Sequence, residues 1–314
     1  MTRSPEFGPI AFGCDPLGGH NWGKVDPELI MAAIPHAIDR GVRLFDTADC
    51  YGAGLSEIRL GQALAGYRDR CLVASKFGVR IDNSGLVKID NRPEWIVHAV
   101  EASLKRLGRE HIDLYQLHWW DRVTPFSAIF DTLERLVKSG KIRTFGSTNV
   151  TLDMMGMKNA SELPDSYVSS SLEYSLVNVS ARDAITAMCR QPDGPNFLAW
   201  GSLGGGILSG KYRSAADLEA QDRRLKRADS HFTGSRLARN LAIVAKAGEI
   251  AGNHGTNIKT AQVALQWISR NLGFGTCLVG IKSKAQLDEA IESFEFRLSD
   301  AEIAALDEAA SKSC

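Results

Sequence analysis

Short apolar, β-rich runs alternate along this chain with longer stretches whose apolar residues recur at helical spacing. Runs at 10–12, 42–45, 71–74, Ile112–Leu117, 142–145, 167–172, 197–200 and 277–279 read as strands. Stretches at 55–64, 125–138, 236–251, 258–270 and 284–293 read as helices. Another helix opens at Pro93 and carries Ile96, Val100, Leu104 and Leu107 on one face. Proline suits a first helical turn, where its missing N–H costs little. Strands that alternate with helices imply parallel pairing through crossovers. About eight such units fit a closed barrel better than an open sheet. The predicted fold is therefore α/β, a single (β/α)8 TIM barrel domain spanning 1–314. Its longest irregular segment, 201–235, is rich in glycine and then in charge, and reads as a long βα loop. Loops of that length in a compact domain are usually functional.

The bulk chemistry narrows the function. The chain has 314 residues, 37 Lys plus Arg and 37 Asp plus Glu, so its formal net charge is zero. That balance leaves no footprint for nucleic acid or an anionic membrane, and neither is an expected partner. The short basic run Arg223, Arg224, Lys226 and Arg227 reads as a solvated face. The 6 cysteines form no CxxC pair and suggest neither zinc nor a disulfide framework. His20, His98, His111, His231 and His254 lack metal-ligand spacing, so no metal is expected. No segment approaches the roughly 20 apolar residues that cross a bilayer, and the N-terminus lacks a signal-peptide pattern. A cytoplasmic location is the expectation.

Four polar residues fall at the ends of successive predicted strands. Asp46 ends one, Tyr51 lies just after it, Lys76 ends the next and His118 the one after. A barrel would gather all four at its C-terminal rim, where barrel enzymes place their active sites. Taken singly, each has an ordinary reading: a cap, a half-buried ring, a solvated charge, a satisfied imidazole. Together they suggest acid chemistry. A tyrosine hydroxyl with an ordinary pKa near 10 is a poor acid at neutral pH. A nearby ammonium lowers that pKa. Lys76 can supply the charge, Asp46 can hold Lys76, and His118 can donate to a substrate oxygen. A proton donor beside an oxyanion site is what carbonyl reduction needs. The glycines at 201, 204, 205 and 206 belong to no GxGxxG or GKS/GKT pattern, which argues against a doubly wound dinucleotide fold.

The stretch Leu44-Phe45-Asp46-Thr47-Ala48-Asp49-Cys50-Tyr51-Gly52, with Ser75-Lys76 and Leu117-His118-Trp119, resembles the active-site signature of the aldo-keto reductase family. The resemblance continues through Gly146 to Asn149, Glu173 to Leu176, the AWGSLGGGILSGKY segment from Ala199, Ala264 to Trp267, and Gly280 to Glu289. It implies a catalytic tetrad of Asp46, Tyr51, Lys76 and His118. It also implies a nicotinamide cofactor, NADP(H) favoured and NAD(H) as the alternative. Thr148 and Asn149 would hold the carboxamide and Trp200 would stack on the ring. Gly201, Ser202, Leu203, Gly204, Gly206 and Lys211 would lie along the pyrophosphate. Gly280, Lys282, Ser283 and Gln286 would face the adenosine end. Ser171, Ser202, Gly205 and Ala290 depart from residues common in the family. Trp22, Phe77 and Trp119 are the expected pocket walls for a small carbonyl or alcohol. The resemblance also makes a monomer the default. The implied activity is reduction of an aldehyde or ketone with Tyr51 as general acid. The alternatives are a sugar or polyol dehydrogenase working oxidatively, and a cofactor-sensing binding protein.

Overall fold

Alternation along each strand sorts side chains between two cores. In the computed structural model, which describes residues 7–19, 22–23, 25–81, 87–191, 193–226, 230–273 and 275–311, eight parallel strands close into a barrel. The chain runs β1 (Ile10–Gly13), α1 (Pro27–Asp39), β2 (Leu44–Asp46), α2 (Leu55–Ala63) and β3 (Leu72–Phe77). A small hairpin follows, β4 (Val79–Ile81) and β5 (Val87–Ile89), then α3 (Pro93–Leu107), β6 (Ile112–Leu117) and α4 (Phe126–Lys138). The second half holds β7 (Ile142–Thr148), α5 (Leu152–Met155), β8 (Tyr167–Glu173), α6 (Arg182–Cys189) and β9 (Asn196–Trp200). It ends with α7 (Arg223–Lys226), α8 (Gly234–Asn253), α9 (Thr260–Leu272), β10 (Thr276–Gly280), α10 (Lys284–Glu292) and α11 (Asp300–Ser311). Strand order around the barrel is β1-β10-β9-β8-β7-β6-β3-β2.

Ala11, Leu44, Ala74, Leu114, Leu198 and Leu278 point inward and fill the barrel. Their neighbours Phe12, Phe45, Val73, Tyr115 and Phe197 point outward and pack under the helices. One residue of offset separates the two sets, as the pleat demands. The pairing of Lys76 with Gln116 and of Gly13 with Asp46 brings polar side chains to a common height near the strand ends.

Several strands reach further than their apolar runs predict. β3 continues past 74 to Phe77, and β7 past 145 to Thr148. Near the rim the inward positions turn polar, so hydrophobicity stops marking the strand while its hydrogen bonds go on. α1, α6, α11 and the β4–β5 hairpin fall where the pattern predicts no element. α1 is capped by Asp26, whose side chain accepts from Glu28 N, but Pro35 interrupts its interior. The predicted 201–235 loop folds into two short 3-10 turns, Gly204–Ser209 and Ala215–Asp217, before α7. Among the described residues no helix is long and apolar enough to cross a membrane.

Candidate active site

Lys76 is the centre of the polar layer. It is 2% exposed, and its Nζ donates to both carboxylate oxygens of Asp46 and to Thr47 O, each at 2.8 Å. The same Nζ lies 3.4 Å from the Tyr51 hydroxyl and 5.0 Å from the centre of its ring. Tyr51 sits in the tight turn after β2. There Gly52 has φ of +59°, and a Cβ on it would meet Gly18 O at 2.2 Å. That close approach of two glycine backbones locks the loop after β1 against the loop that carries Tyr51. His118 follows β6 and is held by its N–H donating to Phe77 O at 2.9 Å. Its ring meets Tyr51 edge-on, with centroids 5.8 Å apart, and stacks on Trp119 at 6.4 Å.

Electrostatics here depart from the expectation for Tyr51. Burial pushes its hydroxyl well above the ordinary tyrosine value, and the carboxylates of Asp15 and Asp46 add to the rise. The Lys76 ammonium does not reverse this, because Asp46 holds it in a two-pronged ion pair at 2.8 Å. Tyr51 is thus a protonated phenol at neutral pH, hydrogen-bonded to a lysine, and not a phenolate. Burial, then the Lys76 charge, holds His118 well below the ordinary imidazole value, so its ring is neutral. Burial raises Asp46, and Lys76 opposes that rise. The arrangement can present an O–H and an imidazole N–H to one oxygen atom.

These residues open into a cavity of about 890 Å³ at the C-terminal ends of the barrel strands. Trp22 and Trp119 line it, as expected. Phe77 does not, and that expectation is corrected. Lys76 points inward, so its strand neighbour points outward; Phe77 is fully buried against Tyr115, ring centres 5.0 Å apart.

The far half of the cavity holds the residues expected at a cofactor. Thr148, Asn149, Trp200, Gly201, Ser202 and Leu203 line it, with Gly206, Lys211, Gly280, Lys282 and Gln286 further along. Thr148 Oγ1 is buried and has no hydrogen-bond partner among the described residues. Asn149 adopts φ of +62°, a left-handed conformation that asparagine tolerates better than most residues. Its amide is already engaged: Nδ2 donates to His118 O at 3.3 Å, and Oδ1 accepts from Trp200 Nε1 at 3.0 Å. Ser202 Oγ donates back to Ala199 O at 2.7 Å. Two expected residues lie off the wall. Gly204 is buried beneath it near Val177 and Ile207. Ser283 is the N-cap of α10, and its hydroxyl accepts from Gln286 N at 3.3 Å. Gly205, one of the departures, does line the cavity.

The largest surprise is the basic run. Lys226 is exposed, as a solvated face requires, but Arg224 is buried, and it and the half-exposed Arg223 both line the cavity. Arg224 is 8% exposed, paired with Asp222 at 2.7 Å, and donates to Gly205 O at 2.9 Å and Tyr212 OH at 3.1 Å. Arg223 forms an ion pair with Asp15 and lies 4.3 Å above the Trp22 ring. Lys282 donates to Trp22 O at 2.8 Å. Its pKa is lowered by burial, then by the nearby charges of Arg224 and Lys211. Crowded cations of this kind favour a polyanionic ligand. Arg227 lies outside the described residues. Asp15 was not singled out from sequence, and its partner lies 208 positions away, so no spacing signal exists.

Comparison with known proteins decides the family. Residues 9–311 match the model of the aldo/keto reductase family. The chain belongs to the aldo-keto reductases. It is 31% identical to the aldo-keto reductase YhdN of Bacillus subtilis over 292 residues, 90% of this chain and 84% of the relative. It is 30% identical to the aldo-keto reductase yakc [NADP(+)] of Schizosaccharomyces pombe, covering 96% of this chain and 87% of that one. Among solved structures it resembles a glycerol dehydrogenase from Gluconobacter oxydans, with TM-score 0.82, 27% identity, 99% of this chain and 93% of that chain covered. Members of this family are oxidoreductases that act on carbonyl or alcohol groups with a nicotinamide cofactor, and this aldo-keto reductase has their closed barrel.

Proposed function

We propose that this aldo-keto reductase reduces the carbonyl of a small aldehyde or ketone using NADPH, with Tyr51 as the proton donor. The observation that carries the reading is Lys76 Nζ joining the Asp46 carboxylate to the Tyr51 hydroxyl beside a neutral His118. The residues present fit a nicotinamide dinucleotide. Thr148 Oγ1 is a buried hydroxyl without a partner among the described residues, in the same cavity as Trp200, and Lys211, Arg224 and Lys282 line it with Gly205 and Gly206. When bound, the nicotinamide supplies or accepts the hydride.

The rest belongs to the chain. Trp200 would stack on the ring, and Thr148 and Asn149 would meet the carboxamide. Arg224, Lys211 and the backbone of Gly205 and Gly206 would hold phosphates. Lys282 and Gln286 would take the adenosine end, where a lysine suits a 2′-phosphate. Tyr51 and His118 would both hydrogen-bond the substrate oxygen. Tyr51 would then release its proton to the forming alkoxide, while the Asp46–Lys76 pair fixes its position and steadies the charge left on the phenol. Trp119 would shape the substrate side, while Trp22, packed under Arg223 and joined through its carbonyl to Lys282, would cover the phosphate end.

The name of the Gluconobacter relative favours a second reading, polyol oxidation, for which the same residues run in reverse. The test combines tryptophan quenching by titrated NADPH and NADH with rates on a carbonyl panel and an alcohol panel. Tighter NADPH binding and faster carbonyl reduction are expected. Tighter NADH binding with turnover only of polyols would move the reading to the dehydrogenase. Binding of neither cofactor would sink both.

A further inference from the structure

One cluster at the rim adds to His118 two side chains that this chemistry does not use, Asp49 and Cys50. Cys50 Sγ lies 3.6 Å from His118 Nδ1, and a carboxylate oxygen of Asp49 completes a group whose ligand atoms all fall within 4.8 Å of one another. We propose that Asp49, Cys50 and His118 form a binding site for a thiophilic divalent cation such as Zn²⁺, placed so that the cation inhibits the enzyme.

The geometry is close to what such an ion requires. Zinc–sulfur bonds of about 2.3 Å and zinc–nitrogen bonds of about 2.0–2.1 Å, at a tetrahedral angle, separate the two ligands by about 3.5 Å. The thiol and the imidazole already stand at that spacing. The carboxylate oxygen lies within 4.8 Å of both. Mixed sulfur, nitrogen and oxygen donors suit zinc rather than magnesium or calcium. Asp49 is not fully committed elsewhere, since its Oδ1 is buried without a hydrogen-bond partner among the described residues. The nearest ammonium, Lys76, has its charge offset by the two-pronged pair with Asp46 at 2.8 Å. Cys50 and His118 both face the cavity, so three protein ligands would leave the fourth position open toward the substrate. A cation there would hold through Nδ1 the imidazole that the reaction uses, and would add a positive charge at the wall of the same cavity. This inhibitory consequence rests on the reductase reading; the binding does not. Sequence spacing hides the site, because Cys50 and His118 are 68 positions apart.

The experiment uses the full chain and Co²⁺ as a spectroscopic probe. One equivalent should produce a thiolate-to-cobalt charge-transfer absorption in the near ultraviolet. Zn²⁺ should displace it, and the Cys50→Ser variant, with native circular dichroism, should lack it. Zn²⁺ should inhibit turnover of the wild type, and Cys50→Ser and Asp49→Asn should need at least about tenfold more zinc for the same loss. No absorption in the wild type, or the same absorption in Cys50→Ser, would overturn the site. A Cys50-dependent absorption with zinc-insensitive turnover would overturn the overlap with the reaction centre. A Cys50-dependent absorption in a protein that reduces no carbonyl would leave the site standing and remove the reductase reading instead.

Discussion

The barrel interior has two levels, and they differ although the same strands build them. At the lower level Leu44, Ala74 and Leu114 fill the space with apolar atoms. Two residues further along each strand, the same inward direction delivers Asp46, Lys76 and Gln116, followed after two more by His118. The lower level is a packed core that excludes water. The upper level is a set of buried polar groups that pair with one another and open to a cavity. Burial in the shared low-dielectric interior keeps Tyr51 protonated and His118 neutral. Burial and the charges of the polar level itself thereby set its protonation states. A scaffold can change chemistry at the rim without losing the barrel, provided each new polar group finds a partner.

Substitutions should separate the two levels. The largest expected effect is that of Tyr51→Phe, which removes the proton donor: steady-state kcat should fall by about 10²–10⁴-fold, while NADPH quenching of tryptophan fluorescence persists. Retained turnover would transfer the acid role elsewhere. Asp46→Asn leaves a buried ammonium unpaired and should lower chemical-denaturation stability by about 3–5 kcal/mol. Asp46→Asn combined with Lys76→Met should recover most of that stability but none of the activity. If it recovers activity, the pair is structural only.

One level down, Leu114→Ala should cost about 2–5 kcal/mol by cavity formation, with KM for the substrate nearly unchanged. A comparable rise in KM would show that the levels are not separable. Trp119→Ala should do the reverse, raising KM and leaving Tm nearly constant. Smallest of all is the pH effect. Tyr51 is raised and so remains protonated through the neutral range, and His118 is lowered and so remains uncharged there. Reductive kcat/KM should therefore stay flat between about pH 7 and 9, inside the ordinary histidine and tyrosine values. A sigmoid near pH 6.5 would show a histidine titrating in the reaction.

Much of this was legible in the sequence because barrels are periodic. β6, Ile112–Leu117, matches its predicted bounds, and the eight-strand order follows from repeated crossovers. The motif around Asp46 and Tyr51 places the chemistry on one rim. Alternation also contained the answer for Phe77: with Lys76 inward its neighbour had to point outward, so proximity in sequence was the wrong guide. The basic run misled for a different reason. Charge on a loop is usually solvated, and nothing local shows that Arg223 will find Asp15 or that Arg224 will be buried against Gly205 and Tyr212.

By itself the sequence determined the barrel, the family motifs and the identity of the four rim residues, because strand period, helix period and short motifs are local properties. Beyond the Asp46–Lys76 pair, which the sequence already implied, tertiary structure alone decided which charges pair, which hydroxyl is left without a partner and which way each proton equilibrium shifts. Those depend on burial and on distances between residues far apart in the chain: Cys50 to His118 at 3.6 Å, and the contact of Asp15 with Arg223. Desolvation and Coulomb energy act through space, and only the closed barrel fixes what is near in space.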